Sequence, residues 1–334
     1  MKILGLDIGG ANIKAAHSNG GAAIFPFRLW RHPEKLKDQL RLLRDDFPES
    51  DRWHVTMTGE LCDCFATKKD GVGQIIDSVL AANPTQNCWF WSTGGIFLSA
   101  SLAAQDYLSV AAANWHALGS VIAARYYPNT NGILLDIGST TTDIIPLSRG
   151  RIATDSKTDT ERLRRRELVY TGVGRTIVSS IVRSVPLAGS DCPIASEYFA
   201  DIQDVHVVLG WRNEEHFNCE TADDRPLSLQ NCRARLARII CSDNTLSSDA
   251  DIQSIADAIA QSQLAQIRSA LQAVATRIPP VEILTICGSG DYLAKRLINS
   301  SIFKATALSE ILGRPVSESA CAWALTQLPE RYAS

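Results

Sequence analysis

No apolar run in this chain approaches the roughly 20 residues that a membrane span needs, so no transmembrane helix is expected. Neither sign of charge dominates: 33 Lys+Arg stand against 36 Asp+Glu, a net of -3. That balance argues against a general electrostatic partner such as DNA or an anionic membrane. The N-terminus carries one Lys and then a strand-like run to Asp7, without an h-region or cleavage site, so a signal peptide is not expected. The nine cysteines are odd in number and scattered from Cys62 to Cys321. They fit buried thiols in a reducing cytoplasm rather than a disulfide framework. No G-x-x-x-x-G-K-S/T loop is present. The Gly9-Gly10 turn lacks the third glycine of G-x-G-x-x-G and leads into a strand-like run, which disfavours a Rossmann fold. Low-complexity linkers are missing too. The 334 residues therefore read as two globular domains in contact, with 45% hydrophobic and 21% charged residues excluding disorder as the main state.

Three segments share one pattern: an apolar strand, a small-residue turn with Gly, then another element. They are Lys2 to Lys14, Gly132 to Pro146 and Val281 to Asp291. The first two nearly superimpose as text, each reading Leu-Asp-Ile-Gly, then small residues, then an apolar strand. They read as one β-hairpin used once in each half of the molecule. Helices are expected over Pro33–Phe47, Val72–Ala82, Ser109–Tyr126, Asp249–Arg277 and Ser317–Leu328, and near 175–184 and 229–241. Strands are expected at His54–Met57 and Cys88–Trp91. A domain boundary is expected at Pro128-Asn129.

The turns have a clear chemical use. Gly9, Gly10 and Gly138 allow close backbone approach, and the N–H groups together with the hydroxyls of Ser139, Thr140, Thr141 and Thr142 can donate to anionic oxygens. A carboxylate at each strand end, Asp7 and Asp136, can hold a divalent cation such as Mg²⁺. Lys14 adds a point charge, and Asn12 belongs to the same turn. A lone Asp-Ile-Gly-Gly would be an ordinary capped turn; its duplication, with the Gly288-Ser289-Gly290 turn, favours a phosphate cradle.

These residues resemble the actin, sugar-kinase and Hsp70-type ATPase superfamily. More narrowly, the chain resembles hydantoinase/oxoprolinase-like proteins and, within them, tetrahydromethanopterin-linked C1-transfer pathway proteins. Leu6 to Asn12, Met57 to Leu61, Ala113 to Trp115, Asp136 to Pro146 and Glu167 to Thr176 carry the resemblance. Arg166 departs from it, standing where that family would have glycine. The resemblance implies an α/β fold of two actin-like (ribonuclease H-like) lobes around a central cleft. It implies lobe one over 1–127, with a C-terminal helix, 314–334, returning to it. Lobe two would cover 128–313, with an inserted region over 150–248. The implied activity is a transferase step in methanofuran-type cofactor assembly. There, an aminomethylfuran methyl diphosphate is joined to the phenol oxygen of tyramine or glutamyl-tyramine and diphosphate leaves. Alternatives are an ATP-dependent phosphotransferase, an amide-bond hydrolase, or a nucleotide-binding scaffold without catalysis. The expected partner is a small phosphorylated molecule; ATP and a homodimer stay open.

The remaining candidates each have two readings. Glu60 is a cleft-facing base or amine ligand, or else an acidic residue in a helix first turn; Asp63 is a weaker candidate for the same cleft. Asn114 and Trp115 line the cleft, Trp115 as an aromatic wall, or else belong to the core. Arg175 and Thr176 open a helix as an anion site or a solvated start. Gly288, Ser289 and Gly290 lie near the organic part of the ligand. The run Arg162, Arg164, Arg165, Arg166 reads as a solvated face. Asp204 and Asp223-Asp224 cap turns rather than bind metal. His216, Cys219, Cys232 and Cys241 fit no closed zinc pattern.

Overall fold

The computed structural model describes residues 2–213, 220–298 and 304–334. Its strands, in chain order, are β1 (Ile3–Ile8), β2 (Asn12–His17), β3 (Ala22–Pro26), β4 (Arg52–Met57), β5 (Cys88–Trp91), β6 (Phe97–Leu98), β7 (Asn131–Ile137) and β8 (Thr142–Ser148). Then follow β9 (Arg151–Ile152), β10 (Leu168–Val169), β11 (Ser184–Leu187), β12 (Ser190–Pro193), β13 (Ile283–Cys287), β14 (Lys304–Ala307) and β15 (Tyr332–Ala333). β11 and β12 form a small two-stranded sheet of their own; of the two large sheets, one has the order β15-β6-β5-β4-β1-β2-β3 and the other β10-β8-β7-β13-β14, with β9 on β8. Both are built alike. A central strand, β1 or β7, pairs antiparallel with the next strand and parallel with a later one, β4 or β13.

Side-chain alternation sets what each face meets. Leu4, Leu6 and Ile8 of β1 pack outward with Leu36, Leu40 and Leu43 of the helix Leu36–Asp46, and with Val72, Ile75 and Val79 of the helix Lys68–Ala82. Gly5 faces the other way. A methyl group there would stand 2.1 Å from the carbonyl oxygen of Ala322, so glycine is what lets the helix Ala320–Gln327 lie on β1. In β7, Ile133, Leu135 and Ile137 face an outer core with Ile267, Leu271 and Val274 of the helix Asp249–Ala275. Leu134 faces inward, into a core it shares with Trp91, Phe97, Leu118, Ile122 and Trp323. That core draws residues from both sheets and from the helix Asn114–Tyr126, so the two halves are packed together rather than tethered. A fourth core, around Val205, Leu236 and Ile255, holds the segment between β11 and the long helix.

Three helices differ from expectation. Ser109–Tyr126 is not continuous: a short turn, Tyr107–Val110, stops and the helix restarts at Asn114. Ala112 takes a positive φ of 49°, and Ala111 is drawn into a parallel bridge with Met57. The helix after Gly174 spans only Val178–Ile181, because the N–H groups of Gly174 and Arg175 are bonded to Ser139. The C-terminal helix is two pieces, Arg314–Glu318 and Ala320–Gln327, broken at Ser319.

A candidate active site between two glycine turns

The two hairpins close in the same way. In the first, Asp7 pairs with Lys14 and Ile8 with Ile13, and the Gly9 N–H donates to the Asn12 carbonyl at 3.0 Å. In the second, Asp136 pairs with Asp143 and Ile137 with Thr142, and the Gly138 N–H donates to the Thr141 carbonyl at 2.9 Å. Each turn is backed by the end of the parallel neighbour. Thr58 and Gly59 donate to the Ile8 carbonyl, and Gly290 donates to the Ile137 carbonyl. Asp7 shares the inward face of β1 with Gly5, as Asp136 shares that of β7 with Leu134. Strand periodicity therefore aims both carboxylates at the space between the sheets.

That space is a cleft of about 490 Å³. Asp7, Gly9, Gly10, Asn12 and Lys14 line it from the first hairpin, and Asp136, Gly138, Ser139, Thr140 and Thr141 from the second. Asn114 reaches it as the first residue of its helix, and Asp63 and Arg175 complete one rim. Burial pushes the Asp7 carboxyl up to about 6, against the pull of Lys14, and the charge on Asp136 adds to the rise. Asp136 is likewise pushed to about 6 by burial, opposed by Lys14 and helped by Asp143. Burial alone would lower the Lys14 ammonium, but Asp136 and Asp7 outweigh it and hold the ammonium above its ordinary value. Two carboxylates and one ammonium thus face each other in a poorly solvated cleft.

The oxygen donors suit a hydrated Mg²⁺. The Oδ1 atoms of Asp7 and Asn12 are buried without a hydrogen-bond partner, and a carboxylate or two plus ligand phosphates is how that ion is commonly held. Among the described residues, no group of three or more His, Cys, Asp or Glu side chains converges on a metal position, so the protein alone supplies no closed cage.

Several candidates lie elsewhere. The Thr142 hydroxyl is buried and donates to the Thr171 carbonyl at 2.7 Å, so it is not free for a ligand. Trp115 is buried and does not line the cleft; its ring carries the Arg162 guanidinium at 4.3 Å. Glu60 also lies outside the lining, and it is not in a helix first turn, since that helix begins at Lys68 behind the Thr67 cap. Its side chain is 2% exposed, burial pushes it up to about 7, and Lys68 Nζ stands 4.0 Å away. Gly288 and Gly290 are buried and serve packing. A methyl group on Gly288 would meet Asp136 Oδ1 at 2.4 Å. Ser289 offers its carbonyl to Arg212. Thr176 is buried, bonded to the Gly172 N–H at 2.8 Å. Asp204 and Asp223 are ion-paired with Arg235, at 2.7 and 2.8 Å. His216 and Cys219 lie outside the described residues.

Arg162 departs from the solvated-face reading. Far from being a solvated member of a charge run, it is 1% exposed and lines the cleft, paired with Asp143 at 2.6 Å and Asp159 at 3.4 Å. The signal was present: Asp159 and Arg162 stand three apart in a helix whose start, Thr158-x-x-Glu161, is a capping box. Trp30, Leu61 and Tyr170 supply the apolar lining assigned to Trp115; Leu61 and Tyr170 lie in segments that carry the family resemblance, and Trp30 does not.

The fold is that of two-lobed actin-like ATPases. A nucleotide-free acetone carboxylase structure superimposes with a TM-score of 0.56 at 10% identity, covering 97% of this chain and 70% of that one. Residues 53–330 match the hydantoinase/oxoprolinase family, and the chain belongs to it. A protein of Methanocaldococcus jannaschii named (4-{4-[2-(gamma-L-glutamylamino)ethyl]phenoxymethyl}furan-2-yl)methanamine synthase is 33% identical over 99% of this chain and 98% of its own. A protein of the same name from Methanococcus vannielii is 34% identical over 56% of this chain and 85% of its own.

Proposed function

We propose that this chain is a transferase of methanofuran-type cofactor assembly, joining an aminomethylfuran methyl diphosphate to a phenol oxygen with release of diphosphate. The observation that carries the reading is the pair of identically closed turns lining one cleft with Asp7, Lys14 and Asp136. The relative similar over nearly its whole length bears a name that describes a phenoxymethyl-furan ether, the bond this reaction makes.

The N–H groups of Gly10 and Ser139 to Thr141, with the hydroxyls of Ser139, Thr140 and Thr141, bind the diphosphate, and Lys14 and Arg175 meet its charge. Asp7 and Asp136 would hold Mg²⁺, which would neutralise the leaving group. The phenol oxygen forms a bond to the furan methylene carbon as the carbon–oxygen bond to diphosphate breaks. A furfuryl carbon tolerates positive charge, so the protein's work is orientation and exclusion of water. Asp159 lines the cleft, and burial holds its carboxyl above the ordinary range; we assign it the phenol proton. Arg162, stacked on Trp115, fixes Asp159 in place.

No helix among the described residues is long and apolar enough to cross a membrane. We read the reaction as cytoplasmic, and the free cysteines among those residues support that reading.

Ligand-dependent melting tests the reading, because a ligand of the folded state stabilises by mass action. Mg²⁺ with diphosphate is expected to raise the Tm more than Mg²⁺ with ATP. Asp136→Asn is expected to abolish that rise while folding normally. A larger rise with ATP would favour an ATP-dependent enzyme. An unfolded Asp136→Asn would make Asp136 structural.

A further inference from the structure

A second cavity, of about 940 Å³, adjoins the cleft and shares Ala11, Trp30 and Arg175 with it. Arg175 stacks on Trp30 at 4.5 Å, so the two chambers meet across one cation–π contact that bridges the halves of the molecule. Both volumes fall within the range of about 300–1,000 Å³ typical of small-molecule sites. Its walls include large side chains left uncovered: Leu42 is 64% exposed, Tyr198 48% and Ile177 39%. Leu61 and Tyr170, exposed in the same way, line the adjoining cleft. Exposed apolar side chains gathered around connected hollows mark a ligand surface rather than solvent-facing scatter.

Charges of both signs stand in the same chamber. Arg28 pairs there with Glu220, and Lys35 and Asp38 lie on the same wall. Both side chains of the Arg28–Glu220 pair are partly exposed, so a ligand in the chamber can reach the pair.

We infer that this second chamber binds the tail of the acceptor and that the Arg28–Glu220 pair selects it. The inference rests on the transferase reading above. The phenol ring passes the Arg175–Trp30 contact into the cleft, and its tail stays behind against Leu42, Ile177 and Tyr198. A tail ending in both a carboxylate and an ammonium fits: guanidinium takes the carboxylate through two parallel hydrogen bonds, and Glu220 takes the ammonium. A tail with an ammonium alone would leave Arg28 without a new partner.

Calorimetric titration of the full chain with two phenols tests this, Mg²⁺ and diphosphate being present throughout. One phenol is tyramine; the other is tyramine carrying a γ-linked glutamate, whose end bears both charges. The zwitterionic phenol is expected to bind at least about tenfold more tightly, the scale of one charge-assisted hydrogen bond. Arg28→Ala and Glu220→Gln should each shrink that ratio to about threefold or less, and Arg28→Lys should restore part of it. Equal affinities in the wild type, a ratio unchanged in both variants, or binding of neither phenol overturns the assignment. The parent reading fails separately: should the ratio behave as expected but no ether form from the furan diphosphate, the chamber stands and the transfer falls. Ether formed equally well from both phenols, with equal affinities, removes the chamber and leaves the transfer.

Discussion

Asp7 and Asp136 differ from the other acidic residues in where a two-residue period puts them. Each is an inward-facing carboxylate near the end of a largely apolar strand, and each is held above its usual range mainly by burial. Such carboxyls are costly to keep, and a charged ligand offsets the cost. Glu60 is a third buried carboxyl, outside the cleft lining. Its folded value of about 7 against an ordinary 4.5 means that the fold retains a proton the unfolded chain has lost between those values. Stability from this group is therefore full below the lower value and is lost as pH rises through the upper one. The drop amounts to at most about 3 kcal/mol. Urea denaturation at pH 5 and pH 8 should show a smaller loss across that interval in Glu60→Gln than in the wild type; equal losses would contradict the assignment. The strand-end carboxylates were legible because the duplicated text fixes their place. Arg162 and Trp115 were not. Whether a charge in a basic run is buried, and which of seven tryptophans faces a cleft, depends on contacts between elements far apart in the chain.

At the scale of elements, the hairpin is the repeated unit, and glycine decides how closely its neighbours approach. Gly288 ends β13 at a φ of 88°, and a methyl group there would meet both Asp136 Oδ1 and the Ile137 carbonyl at 2.4 Å. Gly288→Ala is expected to cost about 2–4 kcal/mol by combining backbone strain with overpacking. It should also weaken diphosphate binding, since Asp136 must move. Chemical denaturation and the ligand-induced rise in Tm check both effects; a change under about 0.5 kcal/mol with normal binding would contradict them. Arg166, where the family resemblance leads one to expect glycine, does take a positive φ of 57°, and its guanidinium reaches Ser269. Long periodic helices such as Asp249–Ala275 were legible from their apolar spacing. The break before Asn114 was not, because alanine-rich text propagates a helix unless a bridge to another strand stops it, and here Ala111 makes one to Met57.

The whole molecule is two like sheets joined by a common core, with the last helix lying on the first strand through Gly5. The duplicated turns made the two-lobed fold readable. The segment between β10 and the long helix was less so. Its core is held by a buried network, Asp204 with Arg235 and His206 between Tyr292 and Gln263, which local periodicity does not announce. Gln263 in turn donates to the Gly172 carbonyl at 2.7 Å, so this segment braces the loop packed against the second turn. The central claim is that the two turns together hold a diphosphate whose departure makes an ether. The direct measurement incubates the full chain with Mg²⁺, an aminomethylfuran methyl diphosphate and a tyramine-type phenol, and follows the products by mass spectrometry. The account predicts the aryl ether and one equivalent of diphosphate, both lost in folded Asp136→Asn. Diphosphate release without ether, or ether formed equally well by that variant, would contradict it.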